Sequence, residues 1–154
     1  MDKKDKEKCW ELLPKVSRSF ALCIRILPKP LNEQMMVSYL IYRVLDTIED
    51  SHAKNSVKGR LFSEFLALLA KRKLNAVAVE ACKIRLLARL DYTYEKDLLE
   101  GLQAVVATYY SQPSKVRGHI LRRGRAMASG MSEFQKKRIE TFADQNRYSH
   151  YVAG

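Results

Sequence analysis

Asp46, Glu49 and Asp50 are spaced i, i+3 and i+4, which on a helix places all three carboxylates on one face. Extending that stripe backwards adds Arg43 and Tyr39, so Tyr, Arg, Asp, Glu and Asp stand in line along an otherwise apolar stretch. Burying carboxylates costs several kcal/mol each unless something compensates them. Hard oxygen donors one turn apart suit Mg²⁺, which takes one or two carboxylates together with waters and substrate phosphates. A second reading stays open on spacing alone: a solvated helix end running into the polar Ser51-His52 loop.

The elements that position this stripe follow from the apolar pattern. The stretch Leu31 to Asp50 is apolar on most sides, as a helix at the centre of a large helical core must be. Around it the periodicity predicts helices over Lys4–Leu13, Phe20–Leu27, Val57–Arg72, Ala76–Leu90, Leu98–Tyr110 and Pro113–Met131, with helix again from about Ile139. Pro14 disfavours continuation of the first helix, which should turn Trp10 and Leu13 inward. Ser17 or Ser19 supplies an N-cap hydroxyl for the second, and Pro28-Lys29-Pro30 ends it. Six glycines and four prolines in 154 residues disfavour a turn-rich β-protein, so the fold class is all-α, in one continuous domain over residues 1–154.

Composition narrows the function classes. A hydrophobic content of 47% beside 29% charged residues excludes intrinsic disorder. Cys9, Cys23 and Cys82 form no CxxC pair, which speaks against a disulfide framework or a zinc site and for a reducing, cytoplasmic setting. No apolar run approaches the ~18 residues of a membrane span, and the Lys-rich start lacks the apolar core of a signal peptide. The net charge of +11 asks for an anionic partner; nucleic acid, an acidic membrane face and phosphorylated metabolites all satisfy it on charge alone. Tyr39 and Tyr148 lie in apolar stripes rather than among the basic residues, so no nucleic-acid partner is expected. The basic runs at Lys71-Arg72-Lys73, Arg122-Arg123 and Lys136-Lys137-Arg138 read as solvated faces, with peripheral contact to a membrane surface left open.

Four blocks in order give the chain a resemblance: Val16-Ser-Arg-Ser-Phe-Ala-Leu22, Tyr39-Leu-Ile-Tyr-Arg-Val-Leu-Asp-Thr-Ile-Glu-Asp50, Met127-Ala-Ser-Gly-Met-Ser-Glu-Phe134 and Tyr148-Ser-His-Tyr-Val-Ala-Gly154. Together they resemble the squalene/phytoene synthase family, and the second and fourth blocks look closer to its squalene branch. The resemblance implies an all-α isoprenoid-synthase fold whose cavity is lined by two facing aspartate-rich helices. It also implies head-to-head joining of two prenyl diphosphates, through presqualene diphosphate when the product is squalene, with NADPH as reductant. Phytoene, dehydrosqualene or hydroxysqualene formation, or diphosphate binding without catalysis, are the alternatives.

Carried over residue by residue, Asp46, Glu49 and Asp50 would form the first aspartate-rich motif and hold Mg²⁺ against the substrate diphosphate. Ser17, Arg18 and Ser19 match the family's diphosphate contacts, and Tyr39 and Arg43 match its tyrosine and arginine upstream of the aspartates. Tyr148 would serve the first half-reaction as a proton relay or through its π-face. Phe20, Met127, Met131, Val152 and Ala153 would line the prenyl tail, soft thioethers suiting a flexible hydrocarbon. A capping role for the serines and plain core packing for the tyrosines and methionines are the competing readings. His52, His119 and His150 receive no chemistry. The family's second aspartate-rich helix would fall after Gly154, so the resemblance leads us to expect the N-terminal portion of a larger domain, inactive alone and completed by a missing C-terminal half or an oligomer partner.

Overall fold

The computed structural model describes residues 3–90 and 95–140, with side chains through 134. Within them the chain forms eight α-helices and no strand: α1 (Lys3–Val16), α2 (Arg18–Arg25), α3 (Leu31–Asp50), α4 (Asn55–Leu69), α5 (Ala76–Arg89), α6 (Lys96–Glu100), α7 (Leu102–Tyr110) and α8 (Ser114–Glu140). The all-α expectation holds. α3 is the central helix and packs against α1, α2, α4, α6, α7 and α8. Its inward residues, among them Met36, Leu40, Ile41, Val44, Leu45 and Ile48, are fully buried, as its nearly continuous apolar sequence requires.

Beyond the second helix, which spans Arg18–Arg25 where Phe20–Leu27 is expected, and the last, which runs on past Met131 to Glu140, three departures from the expected boundaries have a local reason. α1 does not stop at Leu13 but runs through Pro14 to Val16. Pro14 has no N–H to give the Trp10 carbonyl one turn back; Arg25 of α2 donates to that oxygen instead, Nη2 to O 3.3 Å, with its guanidinium over the Trp10 ring at 5.2 Å. The expected Leu98–Tyr110 helix is two helices that meet at Gly101. A Cβ there would lie 2.7 Å from Leu12 Cδ1 and 3.3 Å from the Asp97 carbonyl, so glycine permits α1 to lie against the junction. α4 ends at Leu69 rather than Arg72, because the tyrosines closing α7 reach across to its last turn. Tyr109 donates to the Leu69 carbonyl at 2.8 Å, and Tyr110 to the Leu68 carbonyl and to that of Lys71 at 3.1 Å.

α8 crosses α3 and α4 on a stripe of Val116, Ile120, Gly124 and Ala128. A Cβ at Gly124 would come within 3.2 Å of Leu66 and 3.6 Å of Leu45, which shows how closely the helices approach. All three cysteines are free thiols: Cys23 is exposed, while burial pushes Cys9 and Cys82 up to about 11.

Candidate functional site

The carboxylate stripe sits on the C-terminal half of α3, which α6 and α4 flank. Arg43 organises it. Its Nη2 and Nε donate to Glu95 Oε1 at 2.8 and 3.2 Å, and its Nη1 lies 3.9 Å from Asp46 Oδ2. Glu95, just ahead of α6, has a side chain only 11% exposed, so the guanidinium satisfies a nearly buried charge and still faces Asp46. The Glu95 hydrogen bond raises the Arg43 pKa and keeps the group cationic.

Asp46 is half-buried. Partial loss of water raises its pKa; the charge of Asp50 adds to this and the Arg43 cation opposes it. Two carboxylates one turn apart thus repel each other in a partly desolvated setting, where a bound cation gains most. Glu49 is half-buried beside them, and its backbone carbonyl accepts from the buried Lys58 ammonium at 2.5 Å. Asp50 departs from the inward expectation: it is exposed in the last turn, so the stripe runs from a half-buried to an open end. Among the described residues no group of three or more His, Cys, Asp or Glu side chains converges as a closed metal cage.

Above Arg43 the stripe becomes aromatic. Tyr39 stacks against Phe20 of α2, ring centroids 5.0 Å apart at 34°. This contact lays the first turn of α2 beside the stripe. Ser17 is the N-cap of α2, its hydroxyl accepting from the Phe20 N–H at 3.3 Å. That hydroxyl is therefore engaged by its own helix, whereas Arg18, Ser19 and Phe20 face solvent. Phe20 is 54% and Met35 44% exposed, which leaves apolar surface next to the aromatic pair.

Met127 and Met131 are half-buried on α8 and pack against the core. Tyr148, Val152 and Ala153, like His150, lie outside the described residues. His52 and His119 are exposed. The structure therefore brings Phe20, Tyr39, Arg43, Asp46 and Asp50 into one strip and leaves Ser17 to its capping bond.

Two contributors escaped the sequence reading. Glu95 lies 52 positions from Arg43, and no local pattern marks it. Lys58 did leave a signal: it falls in phase with Leu61, Phe62 and Phe65 on the buried face of α4, where a lysine needs an acceptor.

Comparison with known proteins places the chain among relatives of one kind. Residues 13–154 match the family model described as squalene/phytoene synthase. The chain is 33% identical over 147 residues to squalene synthase LSS of Botryococcus braunii, covering 95% of this chain and 29% of that protein. It is 33% identical over 151 residues to squalene synthase of Dictyostelium discoideum, covering 97% and 34%. It is also 29% identical over 151 residues to presqualene diphosphate synthase of Botryococcus braunii, again covering 97% and 34%. The chain thus spans about a third of the length of the curated relatives it matches.

Proposed function

Because the chain belongs to the squalene/phytoene synthase family and has the all-α build of its isoprenoid-synthase fold, we propose that the Phe20–Asp50 strip binds one prenyl diphosphate for head-to-head condensation. The observation that carries this reading is the continuity of that strip: aromatic and apolar at Phe20 and Tyr39, cationic at Arg43, anionic at Asp46 and Asp50.

The carboxylates fit Mg²⁺ by their chemistry: hard oxygens, mutual repulsion, and too few protein donors for a cage, so that waters and phosphate complete the shell. When bound, the ion would neutralise charge developing on the departing diphosphate. Asp46 and Asp50 would hold it, with Glu49 adjoining. Arg43 keeps donors beyond those given to Glu95 and offers them to phosphate oxygens, and Arg18 on the exposed first turn of α2 adds a second guanidinium. Phe20, Tyr39, Met127 and Met131 would shelter the hydrocarbon chain, with Val152 and Ala153 joining them and Tyr148 serving the first half-reaction. Farnesyl diphosphate as substrate, a squalene-type product and NADPH as reductant belong to the same proposal and concern the whole protein.

The test is calorimetric titration of this chain with farnesyl diphosphate. Binding that strengthens with Mg²⁺ and weakens at least about tenfold in Asp46→Asn/Asp50→Asn supports the reading. Binding indifferent to both the metal and the substitutions overturns it.

A further inference from the structure

At the opposite end of α3 the molecule has a different chemical character. Gln112, between α7 and α8, donates to Glu33 at the start of α3, Nε2 to Oε2 3.2 Å. The Tyr109 and Tyr110 bonds tie the end of α4 to the same place. Glu33 and Asp46 are thirteen positions apart on α3, roughly 20 Å along the axis, so this pole is remote from the carboxylate strip.

Apart from Glu33, the segments that meet there contain no acid. Residues 65–79 and 101–132 hold eight lysines and arginines and no Asp or Glu. Among the described residues, Lys71, Arg72, Lys73 and Lys115 are exposed and none has a carboxylate within ion-pair distance. Acids on neighbouring elements are already engaged: Glu33 with Lys6 at 3.0 Å, Glu64 with Arg85 at 2.7 Å, and Glu80 with Gln103 and Lys83. A cleft of roughly 350 Å³ opens between the α4–α5 corner and the first turns of α8, with Lys71, Arg72, Ser114 and Arg117 on its walls. Arg117 stacks over Tyr110 at 5.4 Å, and its buried Nε has no hydrogen-bond partner. Directly after the Lys71-Arg72-Lys73 run, Leu74 is 40% and Val77 81% exposed.

Cations flanking solvent-facing aliphatic side chains match a lipid interface: the charges meet anionic headgroups and the aliphatics enter the boundary beneath them. Single-stranded nucleic acid would instead call for exposed rings among the cations, and of the two rings here Tyr109 is buried and Tyr110 lies half-buried under Arg117. We propose that the α4–α5 corner, together with the start of α8, docks this protein on a membrane surface carrying anionic phospholipid. Leu74 and Val77 enter the headgroup layer, and headgroup phosphates meet Lys71, Arg72 and Arg117. The proposal stands apart from the reading of the carboxylate strip and survives its failure.

The test is co-sedimentation of the 154-residue chain with phosphatidylcholine vesicles, with and without phosphatidylserine, each variant first checked for native helicity by circular dichroism. Binding is expected only to the serine-containing vesicles. Lys71→Glu/Arg72→Glu should weaken it at least about tenfold, each cation near the surface contributing appreciably. Leu74→Ser/Val77→Ser, which leaves the charge unchanged, should weaken it about threefold or more. The matched reversal Lys54→Glu/Arg60→Glu, on exposed residues at the far end of α4, should stay within about twofold of the parent. Equal loss from the two charge reversals, indifference to the aliphatic change, absence of vesicle binding, or displacement by a short single-stranded RNA would each overturn the proposal.

Discussion

Arg43 is the residue on which the strip depends, because it answers two acids at once. Removing it strands Glu95, whose side chain is almost fully covered. Arg43→Ala should therefore lower stability by about 1–3 kcal/mol, less than a fully buried pair would lose because the guanidinium is itself partly exposed. The double variant Arg43→Ala/Glu95→Gln should recover much of that loss in chemical denaturation; no recovery would show that the pair is not what holds the two side chains. Asp46 makes the opposite case. Its folded-state pKa is raised, so the protonated form is favoured by folding; that stability is fully present below the unfolded value and is lost as pH rises through the folded one. At neutral pH the ionised Asp46 thus weighs against folding. Asp46→Asn should raise the melting midpoint at pH 7, by no more than about 2 °C given the exposure of the side chain. Below the ordinary carboxylate range the gain should vanish. A lower midpoint at pH 7 would mean that the Arg43 contact outweighs the desolvation.

At the scale of elements, Pro14 and Arg25 show how a helix survives a residue that should end it. The prolyl ring removes one donor, and a side chain from the next helix replaces it. Arg25→Ala should cost about 1 kcal/mol in the parent. In a Pro14→Ala background, where residue 14 regains its N–H, the same change should cost less, and a double-mutant cycle on urea unfolding would measure the coupling. Equal costs in both backgrounds would mean that Arg25 acts only through the Trp10 ring. The same pair marks where sequence reading stops. The helices themselves were legible, since Leu61, Phe62, Phe65, Leu68 and Leu69 repeat at the period that buries one face. The end of α1 was not, because its missing hydrogen bond is supplied by a residue 15 positions away. The junction at Gly101 was equally hidden: its reason is the Leu12 side chain of another helix.

The molecule carries its charge unevenly, with carboxylates along one end of α3 and, at the other, cations that have no carboxylate partner among the described residues. A net +11 repels itself across the fold when the Debye length is about 30 Å and hardly at all at about 8 Å. Raising NaCl from roughly 10 to 150 mM should thus raise the melting midpoint by a few °C. A fall would show that attractive pairs such as Arg43–Glu95 dominate the balance. Of the candidate site, Tyr39, Arg43, Asp46 and Asp50 could be read from spacing because one helix carries them all, whereas Glu95 required the chain to return from a separate segment. The acidic end of α3 has one more consequence. Carboxylates gathered where a helix's own carbonyls point outward oppose its dipole, and such a terminus frays when left alone. Ser51 caps the Ile48 carbonyl with its N–H and hydroxyl, and the Lys58 ammonium, arriving from α4, clasps the next one, that of Glu49. The acidic lip is therefore stiff on loan from its neighbour: loosen α4, and the oxygens at 46 and 50 lose their fixed spacing before any of them is touched.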